Sequence, residues 1–544
     1  MTGLADHLMI APIVLPLFAG AVMLALGGEQ HRNINAGINV VSSFALVAIA
    51  VVLLRATETA PAGIMGVYRL GNWPAPFAIV VVVDRLSAVM LLLTSAIGAS
   101  AAVFSLAHWH RAGPHFHPLF QFLLMGLNGA FLTGDLFNLF VFFEVLLAAS
   151  YGLALHGSGL PRIKAGLHYI VVNLAASLLF LIGVSLIYGV SGTLNMADLA
   201  ARIPAIRGED RALFEAGAGI LGIAFLVKAG IWPLCFWLPS TYAAVSAPVG
   251  SIFAILTKLG VYIVLRLWLL LFGDQAGASA QFGGEWLLVG GMATIAFGAV
   301  GTLASQDMPR LAAYSVLVSS GTVLAAIGMG QVAITGGAIF YLVSSTLGLA
   351  AFFLLIELVE RGREPGADVL AVTREAYGED DEAEGAEEIG IAIPATMGLL
   401  GISFAGCALI IAGLPPLSGF IAKFALLTAA LNSTGIASGD SAPAAAWVFL
   451  VLLILSGLAA LIAMTRAGIR AFWASPEREV PRVRLIEMAP VVILLCLCAF
   501  QTIQAGPIMH FMQAAAQSLH TPQQYVHAVL GRAAERPSGP KDGT

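Results

Sequence analysis

Four ionisable side chains, Glu144, Lys228, Lys258 and Lys423, lie inside segments of the sequence that are otherwise apolar. The chain contains only five lysines, and three of them are in this group. An ionisable group at the centre of a bilayer costs at least about 2.5–3.5 kcal/mol on insertion scales. A scarce residue type at such costly positions indicates a functional role. For amines and a carboxylate, the expected role is proton exchange.

The depths of these residues favour contact between opposite charges. Glu144 lies about eight residues into an apolar run, and Lys258 lies about nine residues into another, roughly 14 Å at 1.5 Å per residue. A unit charge at about 4 Å contributes roughly 4 kcal/mol at an effective dielectric of 20, enough to decide whether a buried amine holds its proton. We expect Glu144 to pair with Lys228 across neighbouring helices. The alternative is that each lines a separate helix contact.

Prolines interrupt two apolar segments close to the lysines. Pro233 follows Lys228 by five residues, and Pro415 and Pro416 precede Lys423 by eight and seven. Proline removes a backbone donor and leaves carbonyl groups unpaired. At membrane depth such groups need protein or water around them, so broken helices indicate a polar cavity, as in many transporters.

The composition identifies the elements that must position these residues. The 544 residues are 59% hydrophobic and 10% charged, whereas a soluble chain carries roughly a quarter charged residues. The apolar runs are uniform rather than alternating, which excludes a membrane β-barrel. The chain is therefore predicted to be an all-α polytopic membrane protein. We place fourteen transmembrane helices near 8–27, 34–54, 83–107, 115–134, 136–156, 165–190, 213–237, 249–271, 285–304, 308–330, 333–358, 394–432, 444–466 and 486–504.

The two interrupted segments, helices 7 and 12, are five helices apart. Each occupies the fourth place of a five-helix unit, and an odd number of helices makes the two units inverted in the membrane, a transporter signature. The predicted parts are the N-terminal helices 1–3, two inverted repeats, and helix 14 with a C-terminal tail. Their boundaries are 1–110, 111–272, 273–466 with an acidic loop at 360–390, and 467–544. The acidic loop is read as a solvated connector, with partner docking as the alternative.

Basic residues give the orientation. Arginines and lysines concentrate in the loops after odd-numbered helices, so these loops are predicted to be cytoplasmic and both termini to lie on the outer side of a bacterial inner membrane. Arg266 is expected to snorkel towards the outer face. The segment 66–86 is predicted to be extended with turns, and Asp135 to lie at a helix boundary.

Other polar residues have plainer interpretations. Ser344, Ser345 and Thr346 either hydrogen-bond helices together or line a water path. The histidine-rich sequence HWHRAGPHFH at 108–117 is read as an interfacial loop, because no acids or cysteines support a metal site there. The sequence therefore predicts neither a metal nor a cofactor.

Several motifs are similar to those of one family. GNWPAPFAIVVVVDRL, FNLFVFFEVLLAASYGL, FLVKAGIWPLCFWLP, SQDMPRLAAYSVLVSSG and LPPLSGFIAKF resemble the antiporter-like membrane subunits of respiratory complex I and multisubunit cation/proton antiporters. Within that family the chain looks most like the D subunits of Mrp/Pha-type antiporters. The resemblance covers about residues 8–505.

The resemblance implies fourteen helices with two inverted five-helix repeats and breaks in helices 7 and 12. It places the family's proton-carrying residues on Glu144, Lys228, Lys258 and Lys423, and it implies other membrane subunits as partners. Relatives often carry a histidine and a lysine in helix 11. This chain has Ser344 and Leu349 there, so a link from Lys258 to Lys423 would run through hydroxyls and water.

Three functions fit these features to different degrees. The first is a proton-translocating subunit of a multisubunit Na⁺ or K⁺/H⁺ antiporter. The second is a proton-pumping subunit of complex I or a membrane-bound hydrogenase, in which electron transfer elsewhere drives the same relay. The third, a membrane scaffold without transport, leaves the three buried lysines unexplained.

Overall fold

The structure is a computed structural model, and it describes residues 7–27, 30–60, 63–361, 395–432, 443–472 and 481–531. In these ranges twelve helices are long and apolar enough to cross a membrane, and three further apolar helices are shorter. A helix overlaps each of the fourteen predicted segments. The acidic loop at 360–390 lies almost entirely outside the described residues.

Helices make up most of the described chain. In order they are α1 (Ala11–Leu26), α2 (Arg32–Thr59), α3 (Arg85–Ser105), α4 (Phe116–Leu132), α5 (Leu136–Ala154), α6 (Leu160–Ser191), α7a (Gly208–Ala229), α7b (Leu238–Ala244), α8 (Ala247–Phe272), α9 (Gly284–Ala304), α10 (Met308–Gly328), α11 (Val332–Glu360), α12a (Ala395–Ala412), α12b (Ser418–Leu431), α13 (Ala444–Phe472), α14 (Leu485–Ile503), α15 (Ala505–His520) and α16 (Pro522–Leu530). A short helix, Met196–Arg202, precedes α7a.

Both predicted breaks are present. Helix α7a ends at Ala229, and Gly230 follows in the left-handed conformation with φ 73°, which glycine adopts without steric cost. Pro233 lies in the break before α7b. Pro415 and Pro416 lie between α12a and α12b in the same way.

An antiparallel hairpin marks one end of the bundle, which we call the hairpin end. Strand β1 (Ile64–Arg69) pairs with β2 (Val80–Asp84), so the prediction of an extended, turn-containing segment is confirmed. Asp84 caps α3 by accepting a hydrogen bond from the Ser87 backbone N–H at 2.9 Å. Asp135 caps α5 in the same way through Asn138, and its predicted place at a helix boundary is also confirmed.

Helix α8 is the centre of the bundle. Its most apolar 18-residue window is fully buried inside the protein, whereas only a third of the corresponding window is buried in α2 and in α12a. Polar residues on α8 therefore face other helices and not lipid. The opposite end of the bundle carries the histidine-rich loop between α3 and α4, and we call it the histidine-loop end.

Candidate functional site

Lys228 lies in the last turn of α7a, directly before the break, and is 6% exposed. Its Nζ is 3.5 Å from Oδ1 of Asn173 on α6 and 4.9 Å from the centroid of the Phe143 ring on α5. Glu144 interacts electrostatically with Lys228, but within the described chain no ion pair of 4.0 Å or less joins them. One Glu144 carboxylate oxygen is buried and has no hydrogen-bond partner among the described residues. The charges are thus neighbours across α5 and α7a, with an amide as the direct contact of the ammonium.

Lys258 is completely buried on α8. Its Nζ donates a hydrogen bond to the Ser320 hydroxyl on α10 at 3.0 Å. An ammonium carries three donors, so a single hydroxyl leaves capacity for water or for a change of protonation state.

Serines continue from α10 towards Lys423. The Ser319 and Ser345 hydroxyls are 2.7 Å apart between α10 and α11, and the Ser344 and Ser418 hydroxyls are 2.7 Å apart between α11 and α12b. Thr346 instead donates to the Leu342 carbonyl of its own helix. Of the three hydroxyl residues singled out in α11, two therefore join helices and one bonds back to its own backbone.

A small polar cavity lies beside these serines. Its volume is about 20 Å³, enough for roughly one water molecule. The hydroxyl-bearing residues around it are Thr302, Ser315, Ser319, Tyr341, Ser345 and Ser456. The Thr302 hydroxyl is buried without a partner in the described chain, and a water in the cavity would satisfy it.

Lys423 contacts a backbone carbonyl at the second break. It lies on α12b, is 8% exposed, and its Nζ donates to the carbonyl of Ala412 at 2.8 Å. Ala412 is the last residue of α12a, so the ammonium pairs with a carbonyl that the break leaves free. Lys423 also borders a groove of about 310 Å³ between α12 and α13.

Arg266 differs from its sequence prediction. It is 8% exposed, and its guanidinium contacts both carboxylate oxygens of Asp84. The expected snorkelling towards the outer face is therefore wrong. Because α8 is surrounded by protein, this arginine finds a carboxylate and not the headgroup region.

Sequence reasoning missed the neutral partners of the lysines. Asn173 and Ser320 carry no charge, so insertion cost does not single them out. One signal was available: the serine pair in SVLVSSG lies inside a quoted family motif, at residues 319–320.

Comparison with known proteins identifies the family. The profile described as "NADH:quinone oxidoreductase/Mrp antiporter, TM" matches residues 133–438, a range that contains all four ionisable residues and both breaks. The chain is 60% identical over 532 residues to the D subunit of a probable K⁺/H⁺ antiporter of Rhizobium meliloti, covering 97% of this chain and 98% of the relative. It is 32% identical to the D subunit of a Na⁺/H⁺ antiporter of Alkalihalophilus pseudofirmus, covering 96% and 99% of the two chains.

A solved structure agrees with these relatives. A chain of the Mrp complex from Dietzia sp. superposes with a TM-score of 0.80 at 26% identity, covering 97% of this chain and all of that one. The matched length includes the hairpin and α14, beyond the residues that the profile covers. The protein is a multi-pass membrane protein that belongs to the NADH:quinone oxidoreductase/Mrp antiporter family.

Proposed function

We propose that this chain is the proton-translocating subunit of a multisubunit monovalent cation/proton antiporter. The observation that carries the proposal is the set of three buried ammonium groups, Lys228, Lys258 and Lys423. Each contacts one neutral oxygen, and the helices that carry them extend from the first break to the second. Buried amines held in this way can change protonation state, because low polarity favours the neutral amine and a nearby carboxylate favours the ammonium. The antiporter subunits named above, at 60% and 32% identity, support the same class of function.

Protons would pass along the middle of the membrane from Glu144 and Lys228 to Lys258 and then Lys423. The first step is electrostatic, since a proton arriving at Glu144 removes the charge that stabilises the neighbouring ammonium. The step from Lys258 to Lys423 would use the serine hydroxyls and the water-sized cavity beside them. The chain would thereby replace a titratable helix-11 residue with hydroxyls and water.

The exchanged cation and the orientation follow from separate observations. The higher identity to the K⁺/H⁺ relative favours K⁺ over Na⁺. The positive-inside rule puts the histidine-loop end in the cytoplasm, where the chain carries Arg111, Arg162, Lys164, Arg310 and Arg361. Both termini would then lie outside a bacterial plasma membrane. Few carboxylates are available inside the subunit as cation ligands, so the cation would pass at a contact with another subunit.

A proton-pumping subunit of a redox complex is the second candidate, because the matching family description includes NADH:quinone oxidoreductase. In that case the relay would respond to electron transfer in partner subunits and not to a cation gradient. Cation-dependent proton flux in vesicles that contain no electron donor separates the two functions.

The experiment uses vesicles containing the whole complex, in which a pre-formed pH gradient collapses on addition of K⁺ or Na⁺. We expect Glu144→Gln and Lys228→Ala each to reduce the cation-driven proton flux at least about tenfold, equivalent to about 1.4 kcal/mol in the barrier. Glu285→Gln and Lys164→Ala are matched controls on exposed residues. Retained exchange in both buried variants would contradict the assigned relay, and a wild-type complex without cation-dependent flux would contradict the antiporter.

A further inference from the structure

Helix α8 carries a second polar feature besides Lys258. Lys258, Tyr262 and Arg266 are spaced by four residues, so they share one face of the helix and span about 12 Å along it. All three are buried, at 0%, 3% and 8% exposure. The face leads from the middle of the bundle to the hairpin end, inside protein throughout.

Near the hairpin end, Tyr262 and Arg266 are hydrogen-bonded to each other and to neighbouring groups. The Arg266 Nη2 donates to Asp84 Oδ1 at 2.8 Å and to the Tyr262 hydroxyl at 3.1 Å, while Nη1 contacts the other Asp84 oxygen. The Tyr262 hydroxyl in turn donates to the Phe131 carbonyl at 2.6 Å. Tyr262 therefore has no free proton to pass along, and Arg266 holds a fixed positive charge between Lys258 and the hairpin end.

Helices α15 and α16 cover the pair. The Tyr525 ring of α16 lies 5.6 Å from the Arg266 guanidinium carbon. A cavity of about 20 Å³ remains between them, lined by Asp84, Arg266, Ser518, Gln524 and Tyr525 among others. It has room for roughly one water, and Gln524 beside it is exposed. Water can thus reach the outer side of the arginine while Lys258 lies on the inner side.

Stability alone does not account for this arrangement. Replacing a buried ion pair by well-packed apolar residues is often neutral or stabilising. A fixed arginine beside a narrow water site is, however, an effective electrostatic barrier to protons and cations, as in membrane pores that exclude them.

We propose that Arg266, held by Asp84, is an electrostatic seal that prevents proton leak between Lys258 and the hairpin end. Arg266 is in this sense a positioning and barrier residue and carries no transported proton. The inference rests on the proposed function, because a seal matters only where Lys258 exchanges protons. A purely structural clasp between α3 and α8 is the alternative.

The test measures proton leak in proteoliposomes of the whole complex, with choline as the sole external cation and an imposed pH gradient. The double variant Asp84→Asn with Arg266→Gln keeps hydrogen-bonding groups but removes both charges. We expect its leak per assembled complex to rise roughly tenfold, whereas Arg266→Lys, which keeps the charge, stays near wild type. Arg207→Gln, at an exposed arginine directly before α7a at the same end of the bundle, is the control and leaves the leak unchanged.

A surface variant keeps the test decisive if the buried double variant fails to assemble. Gln524→Glu adds a negative charge beside the cavity and should raise the leak, roughly threefold, by weakening the field of the arginine. Gln523→Glu adds the same charge at a neighbouring exposed residue that does not line the cavity, and should not. Equal leak in both glutamate variants, or an unchanged leak in an assembled double variant, would overturn the seal. A wild-type complex without cation-driven flux would overturn the proposed function instead, while the leak comparison would still decide on the seal.

Discussion

At the scale of single residues, the buried cations fall into two kinds. Lys228, Lys258 and Lys423 each contact one neutral oxygen, from an amide, a hydroxyl and a carbonyl. Arg266 contacts the Asp84 carboxylate with both terminal nitrogens of its guanidinium group. A neutral partner stabilises the charged form less than a carboxylate does. The four buried cations are thus stabilised in two ways: three amines have neutral partners, as the proposed relay requires, and one guanidinium has a carboxylate.

The hydroxyl of Ser320 is the sharpest test of the lysine chemistry. Ser320→Ala removes the described partner of Lys258 with little change in volume, so the ammonium form becomes costlier. We expect cation-driven proton flux to fall roughly tenfold with normal assembly of the complex. Ser105→Ala is the matched control, since Ser105 is equally buried and donates only to the Ala102 carbonyl of its own helix. Similar flux in the two variants would contradict a role for Ser320.

The sequence predicts which residues are buried against their preference, but not what they touch. Lys258 stands out by insertion cost alone, whereas its partner Ser320 is an ordinary residue in a membrane helix. The expected Glu144–Lys228 ion pair is replaced by an amide contact to Asn173 on α6. Which helix lies between two charges depends on packing, and one sequence does not contain that information.

At the scale of elements, the second break supplies the partner of Lys423, and a tryptophan side chain covers the first. Ending α12a at Ala412 frees the carbonyl that holds Lys423. At the end of α7a, the Val227 carbonyl accepts from the Gly230 backbone N–H at 3.2 Å and from Trp237 Nε1 at 3.1 Å. Glycine and proline made both breaks predictable. The exact end of α7a was not predictable. The predicted helix 7 ran to residue 237, because the residues after Ala229 are apolar enough to continue a helix.

The indole of Trp237 should therefore stabilise the first break. Trp237→Phe leaves the Val227 carbonyl without this donor and opens a small cavity, so we expect the free energy of unfolding to fall by about 1–3 kcal/mol. The measurement is the thermal unfolding of the purified complex. Trp286→Phe removes an indole that is 81% exposed and should leave the transition in place. A comparable loss of stability in both variants would show that the hydrogen bond from Trp237 to Val227 does not stabilise the first break.

At the scale of the whole molecule, one polar network joins the two predicted repeats at the histidine-loop end. Arg361, directly after α11, binds Glu487 on α14 at 2.6 Å and Glu357 on α11 at 2.7 Å. The Trp109 indole donates to Glu357 at 2.7 Å. The Arg162 guanidinium stacks over Trp109 at 5.2 Å. The network thus runs from α14 to the start of α6 and links the helices around the proposed relay.

Arg162 extends the network to the first break. Its Nε donates to the Ala244 carbonyl at the end of α7b, at 2.9 Å. The sequence assigned these arginines to cytoplasmic loops by charge counting, which indicates their side of the membrane. The partners of these arginines lie up to 126 residues away along the chain, and no local pattern encodes such contacts.

Arg361 is the central residue of this network, and its removal should weaken the whole subunit. Arg361→Gln leaves Glu487, which is 2% exposed, without its charged partner, and an unpaired buried carboxylate is strongly destabilising. Because Arg361 itself is partly exposed, we expect a loss of about 2 kcal/mol, measured by thermal unfolding of the complex. Arg310→Gln is the control, since its 3.9 Å pair with Asp307 is exposed on both sides and should contribute less than about 1 kcal/mol. Equal shifts would mean that the network contributes no more than a surface ion pair and that the repeats are held together by apolar packing alone.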